Sequence, residues 1–86
     1  MNHVQLSKID EMGRTYDAMA DKENKFTQRG NTYCILRDIC SYLIVYELTD
    51  NRKVLEKAMG FLTERAIHDS EPVKEFLVEL VEVLAC

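Results

Sequence analysis

The stretch that decides the fold is Tyr33–Leu48, which reads YCILRDICSYLIVYEL. Twelve of its sixteen residues are apolar, and its only charges are Arg37, Asp38 and Glu47. The apolar positions do not alternate, and the run is long for a strand, so the pattern predicts an α-helix. This helix is apolar over more than one face. It therefore has to be buried on several sides, within its own domain or against a partner.

Composition and spacing predict helices along the rest of the chain as well. The 86 residues include only three glycines and one proline, and a chain of this length forms one domain at most. Apolar residues recur with helical spacing over about residues 8–26, 32–48, 51–67 and 71–85. Because the links are short, consecutive helices become antiparallel neighbours, and we predict an all-α, up-down four-helix bundle. The alternatives are a less regular compact helical domain and a bundle completed by dimerisation.

The first helix has the least regular pattern. Ser7 and Asp10 have the spacing of a capping box and predict the start of the helix. A narrow apolar seam of the coiled-coil type follows it; its members are Ile9, Met12, Tyr16, Met19 and Phe26. Gly30 is expected to take the left-handed conformation that ends a helix. We predict a peripheral helix that frays at its start, or alternatively an arm that dimerises or docks on a partner.

The second helix has more apolar surface than the other helices can cover. Its broad apolar face consists of Ile35, Leu36, Ile39, Cys40, Leu43 and Tyr46. Four mostly apolar residues lie outside that face: Cys34, Tyr42, Ile44 and Val45. The third and fourth helices each have one apolar stripe and can pack on the broad face only. We therefore predict that these four residues contact a partner or a second subunit.

The fourth helix is amphipathic and acidic. Its predicted core face consists of Val73, Phe76, Leu77, Leu80, Val81 and Leu84. Opposite this face we place an acidic row, which consists of Glu71, Glu75, Glu79 and Glu82. Like charges four residues apart repel, so the acidic row does not stabilise its own helix. It is either a solvated face that keeps the protein soluble or a docking surface for a basic partner.

The chain carries no recognisable chemistry. It has no catalytic, phosphate-binding or metal-binding motif, so we expect no cofactor, no bound metal and no enzymatic activity. Three cysteines and the lack of a secretory leader indicate reduced thiols and a cytoplasmic location. We expect no membrane span, because the Tyr33–Leu48 stretch is too short and is interrupted by charge. Lysine and arginine are not clustered, which argues against direct nucleic-acid binding.

The sequence favours a small protein that works by binding another protein, as a regulator, inhibitor or adaptor. It also predicts a homodimer that uses part of the first or second helix. One alternative is an acidic decoy that blocks a nucleic-acid-binding protein, and its support is the net charge of −4, which arises entirely after residue 60. The other alternative is an enzyme with no recognisable site.

Overall fold

A computed structural model describes residues 1–85 and arranges them as four helices. α1 spans His3–Glu23, α2 spans Gln28–Thr49, α3 spans Arg52–His68 and α4 spans Ser70–Ala85. No strand occurs among these 85 residues. The prediction of an all-α protein built as a small four-helix bundle is confirmed.

Contacts between the helices show that neighbours run antiparallel. Near the C-terminus of α1, Asp17 accepts a hydrogen bond of 2.8 Å from Arg37, which lies in the first half of α2. Tyr42, later in α2, stacks on Phe61 in the middle of α3. At the other side of the bundle, Gln5 near the start of α1 donates to backbone carbonyls at the end of α4. The chain therefore runs up and down through the four helices, as short links require.

α1 begins earlier than the sequence analysis predicts. Asn2 precedes the helix and accepts a hydrogen bond of 2.8 Å from the Gln5 backbone, while the Gln5 side chain accepts one of 2.9 Å from the Asn2 backbone. This reciprocal pair is a complete capping box. Ser7 lies inside the helix, so its assignment as the cap is wrong. The expected boundary at residue 8 missed the first turn because asparagine with glutamine makes the same box as serine with an acidic residue.

The turn between α1 and α2 is made by Asn24 and not by Gly30. Asn24 has a φ of 71°, in the left-handed region, whereas no glycine has a positive φ. Gly30 lies in the first turn of α2 and donates its N–H to the Thr27 hydroxyl, which caps that helix. α1 therefore ends at Glu23, and the predicted end at residue 26 is wrong. Phe26 is 98% exposed and does not belong to the apolar seam.

The core lies between α1 and α2 and extends to α4. Its buried members are Ile9, Met12, Tyr16, Ala20, Tyr33, Leu36, Ile39, Cys40, Ala58, Val73, Phe76 and Val83. α1 and α2 share the largest interface in the molecule. They approach closely because Gly13 has no side chain and lies against Cys40. The expectation of a peripheral first helix is therefore wrong, since α1 forms one wall of the core.

A buried polar cluster joins the start of α2 to the junction of α3 and α4. Arg29 donates to both carboxylate oxygens of Asp69, at 3.0 and 3.1 Å, and Asp69 is buried. Thr32 is fully buried beside this pair and accepts a bond of 3.3 Å from Arg65. A bidentate arginine–carboxylate pair has a defined geometry as well as a favourable energy. The cluster therefore positions Asp69, the residue between the end of α3 and the start of α4.

Replacing Asp69 with asparagine is expected to lower the free energy of unfolding at pH 7 by about 2 kcal/mol. Burial raises the pKa of Asp69, but the hydrogen bond from Arg29 and the charges of Arg29 and Arg65 outweigh it and hold that pKa below its ordinary value. The stabilisation is therefore complete above the unfolded-state pKa of about 3.9 and is lost as the pH falls through the lower, folded-state pKa. Urea unfolding of both proteins at about pH 7 and about pH 3 measures this difference.

The control for that experiment is Asp10→Asn, because Asp10 pairs with Arg14 only within α1 and is half exposed. Exposed pairs of this kind contribute about 0.5 kcal/mol at most. The free energies of unfolding of Asp69→Asn and the unmodified protein should differ less at about pH 3 than at about pH 7. An equal difference at both pH values would contradict the role of the ionised carboxylate.

Candidate partner-binding surface

α4 packs on the core with a face that is rotated from the predicted one. The predicted face included Leu77, Val81 and Leu84, but these residues are 39%, 64% and 48% exposed. Val83 is buried in their place. The buried side of α4 therefore consists of Val73, Phe76, Leu80 and Val83, with Leu80 partly covered.

The rotation leaves an apolar strip on the surface of α4, which we define as Leu77, Val78, Val81 and Leu84. Val78 is 59% exposed, and it forms the wall of a shallow open depression with Leu77, Val81 and Glu82. Residues 77, 81 and 84 follow one another at spacings of four and three, so they lie along one side of the helix. Such a continuous exposed stripe is unlike the scattered single apolar residues of ordinary surfaces.

The acidic row does not lie opposite the exposed strip but beside it. Glu71, Glu75 and Glu82 are exposed, and Val78 lies three residues after Glu75 and four before Glu82. No ion pair joins Glu71 or Glu75 to a basic side chain among residues 1–85. Lys74 is the only basic residue of α4 and is exposed at the N-terminal end of the same side. The strip therefore has a flank that is predominantly negative.

Glu79 differs from Glu71 and Glu75 because it is bound to a core residue. It accepts a hydrogen bond of 2.9 Å from the hydroxyl of Tyr16, a core residue of α1. Burial and this bond raise the pKa of Tyr16 above its ordinary value, so the tyrosine remains a neutral donor. Tyr16 also packs edge-on against Phe76, with ring centroids 5.8 Å apart. Glu79 therefore helps to fix the rotation of α4.

Of the four residues on α2 that the sequence left unassigned, three are partly covered within the chain. Tyr42 stacks on Phe61 with ring centroids 6.3 Å apart, and the Lys57 ammonium lies 5.6 Å from the Tyr42 ring centre. Cys34 and Ile44 pack against the edge of the core. Val45 remains 42% exposed. The structure thus separates these residues from the strip on α4, and their contact with a partner stays a prediction.

A cleft of about 220 Å³ lies between α1 and α2. Gly13 and Cys40 are among its lining residues; the others are Asp10, Arg14, Asp17, Arg37, Ser41 and Ile44. Its charges are already paired, Arg14 with Asp10 and Arg37 with Asp17, each at 2.8 Å. Burial raises the pKa of the Cys40 thiol to about 12, so the thiol stays protonated at neutral pH and is a poor nucleophile.

No group of three or more histidine, cysteine, aspartate or glutamate side chains within residues 1–85 is arranged to hold a metal ion. Within the same residues, none of the helices has the length and apolar character needed to cross a membrane. Comparison of the chain with protein-family models, with curated proteins and with solved structures finds no match. The class is therefore defined by the fold and its surface: a four-helix protein with an exposed apolar strip beside carboxylates.

Proposed function

We propose that this chain is a non-enzymatic protein that binds another protein through α4 and acts as a regulator, inhibitor or adaptor. The observation that supports this proposal is the apolar strip Leu77–Val78–Val81–Leu84 beside Glu71, Glu75 and Glu82. A contiguous apolar patch with a polar rim is the usual character of a protein-binding surface.

The spacing within the strip favours a helical or extended segment as the bound element. Leu77, Val81 and Leu84 repeat along one line of the helix, as anchor positions do when two helices pack. Docking there would cover about two turns of α4 without displacing Phe76 or Val73 from the core. A cytoplasmic location is part of the proposal, since Cys34 and Cys40 are both free thiols.

The test compares affinity capture from the native cell extract for three forms of the protein. The first is unmodified, and the second carries Val78→Ser with Val81→Ser, both at exposed positions of the strip. Valine and serine differ little in helix propensity, so the fold should be retained. The matched control carries Leu48→Ser with Ile67→Ser, which are 72% and 74% exposed on other helices. We expect one protein to be enriched by the unmodified and control forms and reduced about tenfold with the strip variant.

Circular dichroism of all three forms shows whether the helical content is equal. Capture of the same proteins in the same amounts by the unmodified and strip-variant forms would reject α4 as the binding surface, and enrichment of no protein would reject the function itself.

The acidic decoy remains a second proposal with narrower support. It draws on the exposed carboxylates of Glu71, Glu75 and Glu82. It differs from the first proposal by requiring charge and not the apolar strip. A captured partner that binds nucleic acid and is released by Glu75→Lys, but not by the strip variant, would favour the decoy. For the enzyme alternative, the cleft at Gly13 and Cys40 is a place to examine.

A further inference from the structure

We infer that the element bound by the apolar strip is a basic amphipathic helix of another protein, aligned along α4. This inference rests on the proposed function and names the chemistry of the partner. In the arrangement it describes, apolar side chains of the partner helix cover Leu77, Val81 and Leu84. Lysine or arginine side chains on one flank of that helix face Glu75 and Glu82.

The dimensions of the strip fit one helix. Leu77 and Leu84 are seven residues apart, which corresponds to about 10 Å along the helix axis. The two most exposed members, Val78 and Val81, are 59% and 64% exposed, so the partner gains its largest contact at the middle of the strip. A partner helix of three to four turns spans this length and places its own residues i, i+3 or i+4, and i+7 on the strip.

The carboxylates beside the strip indicate that the partner carries positive charge. Glu71, Glu75 and Glu82 line one flank of the strip, and Glu71 and Glu75 form no ion pair with a basic side chain within the described residues. Lysine or arginine on the partner would stabilise the complex there and speed the encounter. Lys74, at the N-terminal end of the strip, disfavours a basic residue at that one position of the partner. Complementary charge should therefore fix the orientation of the bound helix along α4 as well as the sign of that helix's charge.

The same charges disfavour a second copy of this chain as the occupant. When two identical helices pack antiparallel, the two-fold axis runs between them, perpendicular to the plane that contains both helix axes. Equivalent flanks of the two helices therefore lie on the same side of that plane. The flank that contains Glu75 and Glu82 would then lie beside its own copy, in a pair of chains that each carry a net charge of −4. Like charges facing each other at an interface weaken association. An anionic lipid surface is disfavoured by the same repulsion.

The test uses three fluorescent peptides of about 18 residues, a length that forms a helix on a binding surface. The first contains leucine, lysine and alanine, with leucine at i, i+3, i+4 and i+7 and lysine on both flanks. The second replaces every lysine with glutamate, and the third scrambles the first so that it has no apolar face. Fluorescence anisotropy measures their binding to the unmodified protein at about 50 mM and about 300 mM salt.

We expect the lysine peptide to bind at least about tenfold more tightly than either other peptide, and its affinity to fall several-fold at the higher salt concentration. Val78→Ser with Val81→Ser should weaken binding of the lysine peptide about tenfold. Glu75→Gln with Glu82→Gln should weaken it about threefold or more, whereas Glu56→Gln, at an exposed position of α3, should leave it unchanged.

Equal binding of the lysine and glutamate peptides, or equal binding of the lysine and scrambled peptides, would overturn the inference. So would a lack of binding, or binding that the strip variant does not weaken. Light scattering that shows a dimer dissolved by Val78→Ser with Val81→Ser would assign the strip to a second copy, and selective binding to phosphatidylserine vesicles would assign it to a membrane. If capture from extract depends on the strip but the lysine peptide does not bind, the proposed function stands and only the inference fails.

Discussion

Replacing Gly30 with alanine is expected to lower the free energy of unfolding by about 3 kcal/mol, although the same change inside a helix usually stabilises a protein. A β-carbon at Gly30 would lie 1.9 Å from the backbone carbonyl oxygen of Asn24 and 3.0 Å from the Thr27 hydroxyl. The Asn24 carbonyl cannot move freely, because it accepts hydrogen bonds from both the backbone N–H and the hydroxyl of Thr27. Moving it would also disturb the left-handed turn and the cap of α2.

The other two glycines provide matched controls for the same substitution. Gly60 is exposed within α3, and a β-carbon there meets no atom within 4 Å, so Gly60→Ala is expected to stabilise by about 1 kcal/mol. At Gly13 a β-carbon would lie 3.3 Å from the Cys40 β-carbon, and the two helices would have to separate slightly. Urea unfolding of the three variants measures the order, which we expect to be Gly60→Ala, Gly13→Ala and Gly30→Ala from most to least stable. A Gly30→Ala protein as stable as the unmodified one would contradict the close approach.

Truncating Phe76 to alanine is expected to cost about 4 kcal/mol, which is a large fraction of the stability of a domain this small. Phe76 is fully buried and packs against Tyr16, so its loss opens a cavity between α4 and α1. Urea unfolding measures this loss. We expect the midpoint of Phe76→Ala to lie far below that of the unmodified protein, and we expect the variant to be partly unfolded at room temperature.

Two further variants separate packing from other effects at this position. Phe76→Leu keeps most of the volume and should cost about half as much. Leu77→Ala, next in the chain but 39% exposed, should cost about 1 kcal/mol because less surface returns to water. If Phe76→Ala and Leu77→Ala were equally destabilising, the rotation of α4 described above would be wrong.

The side of α4 that is buried could not be predicted from its sequence alone. Apolar residues extend around α4 from Val83 through Leu80 and Leu77 to Val81, which is wider than one buried face. The period of the pattern therefore predicts a helix but not which edge of the wide face is buried. That choice depends on other helices, through the Tyr16–Glu79 hydrogen bond and the contact of Gln5 with the end of α4.

The turn between α1 and α2 shows a second limit. Gly30 matches the common pattern of a glycine after a helix, but it is required for space and not for a left-handed conformation. Asn24 has the positive φ at this turn, and asparagine tolerates a positive φ more readily than most residues other than glycine. The residue that makes the turn is determined by how closely the start of α2 approaches the end of α1. The short distance between Gly30 and the Asn24 carbonyl is a property of the folded chain and cannot be read from the sequence.

The apolar surface of α2 was predictable only in part. The run Tyr33–Leu48 predicts burial on several sides; its buried residues Leu36, Ile39 and Cys40 lie on one side of the helix, whereas Val45 and Leu48 are 42% and 72% exposed. The position of Tyr42 required its neighbour, since its ring is covered by Phe61 and Lys57 of α3. The candidate surface on α4 was predicted only in its acidic half. Three residues of its apolar half, Leu77, Val81 and Leu84, are assigned to the core by the sequence pattern.

The large interface between α1 and α2 has a consequence for the order in which the chain folds. These helices are adjacent in sequence and need little loop closure, so their pairing is favoured early and proceeds rapidly. α4 is synthesised after the other three helices and docks on a surface that α1 already presents through Tyr16 and Gln5. Until then, solvent contacts both the side of α4 that later enters the core and the apolar strip. The surface that buries one side of α4 is thus formed from helices that are synthesised before α4 itself.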